Sequence, residues 1–269
     1  MDNSGAIWVK SGADKRRVTS KEELRRLFRS SDLVYSDDVP VSGSSLADLD
    51  KDYFQNFYEK EFEEKLELAE ITIKEILNIL NLARGERLNL AGLLLFGKHP
   101  QRLKPVFTAK AVSFLGTDTT STTYRDSEDM NGKLAELYQK TMAFLIRNLR
   151  KIQRDKDFNG LGDLELPKIV LQELLVNAMT HRDYFISAPV RVFIFDDRIE
   201  IINPVRLPNR LTITHIKSGN SIVRNPVLTS FGTKELPYRG LGTGIRRALK
   251  AYPDIEFIND VEAEQFSAS

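Results

Sequence analysis

The chain contains no cysteine and only three histidines in 269 residues. The lack of cysteine excludes disulfides and thiolate metal sites. The net charge of only +1 gives no strong overall field to attract nucleic acid or anionic lipid, so such a role needs a local patch. No apolar run approaches the roughly 20 residues that span a bilayer, and the first residues lack signal-peptide features. We therefore expect a cytoplasmic protein with no membrane partner.

The apolar content is 41%, which is enough for a sizeable core. The first half of the chain shows helical spacing interrupted by polar stretches. It predicts a strand at 6–9, a helix at 21–30, a linker or extended arm at 31–50, helical segments from 52 to 82, a buried helix at 90–96, a strand at 106–115, a loop at 116–127 and a helix at 132–154.

The second half gives sharper signals. Asp196-Asp197 separates two β-rich runs by a hairpin spacing, and Asn225-Pro226 has the pattern of a helix start. The sequence predicts a helix at 167–182, strands at 190–195 and 198–202, mostly loop with short helical pieces at 203–238, a helix from 244 to about 252 and a strand at 255–258.

The helix at 167–182 carries Glu173 and Asn177 four residues apart, on one face among apolar neighbours. Burying a carboxylate and a carboxamide there is costly unless they meet partners. His181, Arg182 and Asp183 extend the polar stripe at the helix end. The alternatives are a functional site and an ordinary surface stripe.

A second feature is the glycine turn, which we define as Gly240-Leu241-Gly242-Thr243-Gly244. Glycines at alternate positions before a helix let backbone N–H groups approach an anion such as phosphate. A plain junction between loop and helix is the alternative. The turn is not a Walker A loop, because no Gly-Lys-Ser/Thr follows it.

Taken together, the Glu-x-x-x-Asn helix, the strands, the long loop and the glycine turn resemble the GHKL (Bergerat) ATPases, which include gyrase B, MutL and histidine kinases. The closer resemblance is to the ATP-binding module of AlbA/Schlafen-type transcriptional regulators, also called RecG-related proteins. It rests on Glu173 to Tyr184, Asp197 to Pro204, Ser221 with Arg224 to Pro226, Gly240 to Gly244, Ile7 to Arg16 and Leu93 to Pro100.

The resemblance implies an α+β protein whose C-terminal GHKL-like part is an α/β sandwich, a mixed sheet covered by helices. It divides the chain into the remnant of an AlbA-type DNA-binding domain at 1–30, a linker and connecting region at 31–128 and the nucleotide-binding module at 129–269. The family continues with further sheet, so the module is expected to be truncated.

The resemblance also implies residue roles. Glu173 corresponds to the general base, and Asn177 to the Mg²⁺ ligand. Gly240, Gly242, Thr243 and Gly244 correspond to the ATP phosphate site, and Asp183 is grouped with the nucleotide-binding residues. Asn203 stands where the family's adenine-reading aspartate lies, but Val205 and Arg206 replace the expected glycines, and their side chains could fill the adenine pocket.

Residues 1–30 contain eight Lys/Arg and four Asp/Glu, a local net charge of +4. Lys15, Arg16 and Arg17 in this cluster could contact DNA phosphates, or the cluster could be a solvated surface. The resemblance favours DNA, because AlbA-type domains are associated with nucleic acid. His99, His181 and His215 are too dispersed to predict a metal cluster.

The sequence therefore predicts a transcriptional regulator in which a nucleotide-binding module is coupled to a DNA-binding domain, with ATP, Mg²⁺ and DNA as ligands. The alternative is a non-enzymatic scaffold that binds DNA and forms homo-oligomers, with a vestigial pocket. Weak ATPase activity is left open. Helicase activity is not expected, because no motor motif accompanies the module.

Overall fold

The computed structural model describes residues 8–11, 14–17, 20, 35–153, 162–208, 211–237 and 239–269. The chain divides into two compact units, residues 1–35 and 36–269. In the first unit, β1 (Trp8–Ser11) and β2 (Asp14–Arg17) form an antiparallel hairpin. The strand predicted at 6–9 is thus found in part, paired with the residues that follow it. The helix predicted at 21–30 lies outside the described residues.

The second unit mixes helices and strands along the chain. Its helices are α1 (Lys51–Phe62), α2 (Ile73–Ile79), α3 (Leu90–Phe96), α4 (Pro100–Leu103), α5 (Leu134–Asn148), α6 (Lys168–Thr180), α7 (Ile213–Lys217), α8 (Pro226–Glu235) and α9 (Gly244–Ala251). Its strands are β3 (Ala83–Arg84), β4 (Arg87–Leu88), β5 (Ala109–Phe114), β6 (Tyr124–Met130), β7 (Lys151–Ile152), β8 (Asp163–Leu164), β9 (Val190–Ile194), β10 (Ile199–Asn203), β11 (Phe257–Asp260) and β12 (Gln265–Ala268).

Six of these strands form one mixed sheet in the order β11-β12-β10-β9-β5-β6. The pair β5 and β9 is parallel, and the other neighbours are antiparallel. The hairpin of β9 and β10 turns at Asp196-Asp197, where the N–H of Phe195 donates to the carbonyl of Arg198 at 2.8 Å. The sheet therefore confirms a mixed α+β fold of the sandwich type.

Helices α5 and α6 connect the parallel strands and pack on the sheet. In α5 the buried side chains Leu134, Leu137, Tyr138, Thr141 and Leu145 recur at helical spacing, so one stripe faces the core. Helix α6 is buried on more of its circumference, because it contacts α5, α8, α9 and β10. That central position fixes the polar residues of α6 in the interior of the unit.

Residues 36–50 differ from the expected extended arm, because they pack into the core. Val41 and Leu49 are buried, and so is Asp37. The Asp37 Oδ2 accepts the N–H of Leu228 in the first turn of α8 at 2.9 Å. Burial raises the Asp37 pKa to about 6.

Other differences concern polar strands. The loop predicted at 116–127 contains the start of β6, whose acidic residues pair with Lys110 on β5 and Arg147 on α5. Edge strands often carry such charges, which conceal their β character in the sequence. Among the described residues, no helix combines the length and the apolar character that crossing a membrane requires.

Candidate functional site

The carboxylate of Glu173 lies inside the protein, with only 3% of the residue exposed. Its Oε1 accepts a hydrogen bond from Arg247 Nε at 2.7 Å and lies 2.6 Å from Arg247 Nη2. Arg247 comes from the first turn of α9, so this ion pair joins α9 to α6. The surface-stripe alternative is therefore wrong for Glu173, which meets the partner that its burial requires.

The second carboxylate oxygen, Glu173 Oε2, is buried and has no hydrogen-bond partner among the described residues. It faces Gly244 closely, because a Cβ built on Gly244 would lie 2.5 Å from Oε2 and 3.2 Å from Asn177 Nδ2. Asn177 Nδ2 itself donates to the Glu173 carbonyl at 2.7 Å. Glycine at position 244 is therefore what lets α9 start so close to α6.

The glycine turn adopts backbone conformations that favour glycine. Gly240 and Gly242 have φ angles of 66° and 67°, in the left-handed region. A Cβ on Gly242 would lie 3.3 Å from both the Gly219 carbonyl and Ser221 Cβ, so the turn packs against residues 219–221. The turn delivers the chain to the N-terminus of α9, where backbone N–H groups and the helix dipole favour an anion.

A cavity of about 120 Å³ lies between α6, the end of β10 and the glycine turn. That volume accommodates roughly ten water-sized spheres. Its walls are mostly apolar, with a few polar groups. Of the residues predicted to bind nucleotide, those that line it are Asn177, Asn203, Gly242 and Gly244. Glu173, Asp183, Gly240 and Thr243 are not among its lining residues.

Asn203 ends β10 and is only 4% exposed. Asn203 lines the cavity, and its Oδ1 is buried without a hydrogen-bond partner among the described residues. A buried carbonyl oxygen without a donor is costly, so this atom suits a ligand that donates a hydrogen bond. Val205 and Arg206 also line the cavity, and Val205 is buried. They narrow the place where the resembled family has glycines.

Asp183 is connected to the cavity through the side chain of Arg224. Its Oδ2 lies 3.2 Å from Nη1 of Arg224, which lines the cavity, and Arg224 Nη2 donates to the Arg206 carbonyl at 2.9 Å. Arg224 therefore ties the segment after α6 to the segment after β10. His181 lines the same wall, and burial, with Arg224 nearby, lowers its pKa to about 4. This histidine is therefore neutral at pH 7.

Two arginines of the site, Arg224 and Arg247, had no role in the sequence prediction. Arg224 lay within a recognised segment, but nothing in the sequence paired it with Asp183. Arg247 is 74 positions from Glu173, and no local pattern links residues so far apart. The predicted DNA-binding residues Lys15, Arg16 and Arg17 lie on β2, in the first unit. No group of three or more His, Asp or Glu side chains suited to a metal occurs in the described part of the chain.

Comparisons with known proteins give two family matches. The family described as "Putative ATP-dependent DNA helicase recG C-terminal" matches residues 187–265, a stretch that holds Asn203, Arg224 and the glycine turn but not α6. This part of the chain is therefore related to the ATPase-like RecG C-terminal region. A domain of unknown function, DUF8451, matches residues 25–109. No curated protein matches the chain.

Among solved structures, the chain is similar to the DIP2311 protein from Corynebacterium diphtheriae, with a TM-score of 0.62 and 18% sequence identity. The match covers 98% of this chain and 52% of the other, so the chain spans about half the length of that protein. At this identity the similarity supports the fold alone.

Proposed function

We propose that the cavity beside the glycine turn binds a nucleotide, and that the protein is a regulator whose GHKL-like (Bergerat) module couples nucleotide binding to an AlbA-type DNA-binding domain. The observation that carries the proposal is the unpartnered Oδ1 of Asn203, a buried acceptor on a residue that lines the same cavity as Gly242 and Gly244 of the glycine turn. The relation of residues 187–265 to an ATPase-like region supports it.

The residues present fit ATP and Mg²⁺ chemically. Asn203 Oδ1 suits the amino group of a base, and the N-terminus of α9 suits phosphate. Asn177 uses its Nδ2 within α6, which leaves its amide oxygen as the atom that could ligate Mg²⁺. When bound, Mg²⁺ would neutralise phosphate charge. The protein's own contribution is to hold the base and to place donors at the phosphates.

The test is calorimetric titration of the 269-residue chain with ATP, with and without Mg²⁺. We expect binding that Mg²⁺ strengthens, and a ligand at a hundredfold excess over its Kd adds about 2.7 kcal/mol of stability. Asn203→Ala should weaken binding at least tenfold. Asn148→Ala is the matched control. Asn148 hydrogen-bonds to Asp126 on β6, which is the edge strand at the end of the sheet opposite β11, and it does not line the cavity. Absence of heat and of a thermal shift at millimolar ATP would refute the proposal.

A second candidate is the non-enzymatic scaffold, which would bind DNA and form homo-oligomers without using the pocket. Val205 and Arg206 favour it, because their side chains take up room at the cavity wall where the resembled family has glycines. It predicts DNA binding by the chain that is unchanged by ATP and by Asn177→Ala. Dependence of DNA binding on either would exclude it.

The domain assignment stays a proposal as well. It gives DNA contact to residues 1–30, a connecting role to 31–128 and nucleotide binding to 129–269. Strands β5 and β9 pair across the second boundary, so the connecting region and the module share one sheet. Weak ATPase activity would require Glu173 to reach a water molecule beside the bound phosphate.

A further inference from the structure

We propose that Arg247 is a positioning residue, which holds the glycine turn against α6 through Glu173 and thereby sets the affinity for phosphate. The inference deepens the proposed function and rests on it. It assigns to Glu173 the task of anchoring Arg247, which differs from the general-base role that the family resemblance implies.

The guanidinium of Arg247 contacts both sides of the junction. Its Nε and Nη2 hold Glu173 Oε1 at 2.7 and 2.6 Å, and its Nη1 donates to Thr243 Oγ1 at 3.1 Å. Thr243 belongs to the glycine turn, and the backbone N–H of Arg247 also donates to the Thr243 carbonyl at 3.0 Å. One side chain therefore fixes the last part of the turn relative to a buried carboxylate on α6.

The burial of Glu173 makes the loss of its contact with Arg247 energetically costly. Because Glu173 is 3% exposed, removal of Arg247 leaves a carboxylate with poor access to water, whereas the Arg247 side chain is itself 27% exposed. The guanidinium is planar, so its Nε hydrogen bond and its Nη2 ion-pair contact with Oε1 restrict the orientation of α9 as well as its distance. Lysine would keep the charge but lose that geometry.

The position of Oε2 argues in the same direction. Glu173 Oε2 lies only 2.5 Å from the position that a Cβ on Gly244 would take. Glu173 is also not among the residues that line the cavity. A general base must reach the proton that it takes, directly or through one water. In this arrangement one oxygen of Glu173 holds Arg247 and the other faces the start of α9. The carboxylate therefore stabilises the proposed phosphate site without lining the cavity itself.

The experiment is a double-mutant cycle with Glu173→Gln, Arg247→Gln and the double variant, in the full chain. The probes are ATP and a non-hydrolysable ATP analogue with Mg²⁺, titrated well below the unfolding temperature. We expect each single variant to raise the Kd about tenfold. The Kd of the double variant should be no higher than that of either single variant, because the effects of contacting residues are coupled. Arg247→Lys should restore part of the affinity. Lys250→Gln, on the exposed side of α9, is the matched control and should leave Kd unchanged.

Amide hydrogen exchange at residues 239–243 gives a second readout that needs no ligand. We expect exchange in the turn to become about tenfold faster in Glu173→Gln and Arg247→Gln, with no change in Lys250→Gln. A Glu173→Gln variant that keeps wild-type Kd and wild-type exchange would overturn the inference, and loss of hydrolysis alone would then identify a general base. If the wild type binds no nucleotide, the proposed function fails, and the exchange rates still decide the role of Arg247.

Discussion

Replacing Gly244 by alanine tests how closely α9 approaches α6. The added methyl group would lie 2.5 Å from Glu173 Oε2, nearer than real Cβ atoms come to a non-bonded heavy atom. The Glu173 carboxylate cannot withdraw freely, because Arg247 holds its other oxygen. The methyl group must therefore displace α9 or strain the buried ion pair.

The magnitude follows from that pair. Breaking a buried ion pair costs about 3–5 kcal/mol, while alanine in place of glycine within a helix gains up to about 1 kcal/mol. We therefore expect Gly244→Ala to lower the free energy of unfolding by roughly 2–4 kcal/mol. Urea unfolding of the wild type and the variant, followed by circular dichroism, measures this difference.

The control is the same substitution in a Glu173→Ala background, where the clashing carboxylate is gone. There the cost of Gly244→Ala should fall below about 1 kcal/mol, leaving the 3.2 Å contact with Asn177 Nδ2 to adjust. An equal cost in both backgrounds would show that the carboxylate is not what the methyl group meets. No cost in the wild type would refute the close approach itself.

Three further predictions concern the rest of the molecule. Asp37→Asn should raise the free energy of unfolding at pH 7.5 by up to about 3 kcal/mol. The pKa of Asp37 is raised from 3.8 to about 6, so its contribution to stability is present below pH 3.8 and is lost as pH rises through 6. Urea unfolding at pH 7.5 and 3.5 should show the gain only at the higher pH. If the side chains of Val205 and Arg206 narrow the part of the cavity proposed to hold the base, the double variant Val205→Gly and Arg206→Gly should bind ATP severalfold more tightly in calorimetry. An unchanged affinity would show that these side chains do not limit binding. Neutralising residues 15–17 with glutamine should weaken DNA binding and lower its salt dependence in fluorescence anisotropy, and an unchanged salt slope would exclude phosphate contact there.

The sequence was sufficient for features that depend on neighbouring residues. Asn89 immediately precedes the helix predicted at 90–96, and its side chain accepts the N–H of Gly92 at the start of α3, which is a local capping pattern. The hairpin at Asp196-Asp197 and the start of α8 at Pro226 are local patterns of the same kind. In contrast, Asn225 makes no side-chain cap on α8, where Asp37 supplies a bond from 191 positions away.

The features that the sequence analysis missed depend on distant residues. Strand β12 was not predicted, and its residues lie in the sheet through pairing with β10, as Ile201 opposite Ala268 shows. In the site, the order of motifs brought Asn177, Asn203 and Gly242 to one cavity. The use of each Glu173 oxygen could not be predicted, because it depends on a guanidinium that only the packing of α9 on α6 brings near.

Nucleotide binding and hydrolysis make different demands on this site. Under the proposed function, binding needs an acceptor for the base and donors for the phosphates, the roles that we propose for Asn203 and the glycine turn, and it gives Glu173 no chemical step. Hydrolysis requires Glu173 to release Arg247, and a step that first costs about 3 kcal/mol slows turnover by about a hundredfold. A bound phosphate that pairs with Arg247 in its place would reduce that cost. The proposed site therefore favours a protein that responds to bound nucleotide over one that consumes it rapidly.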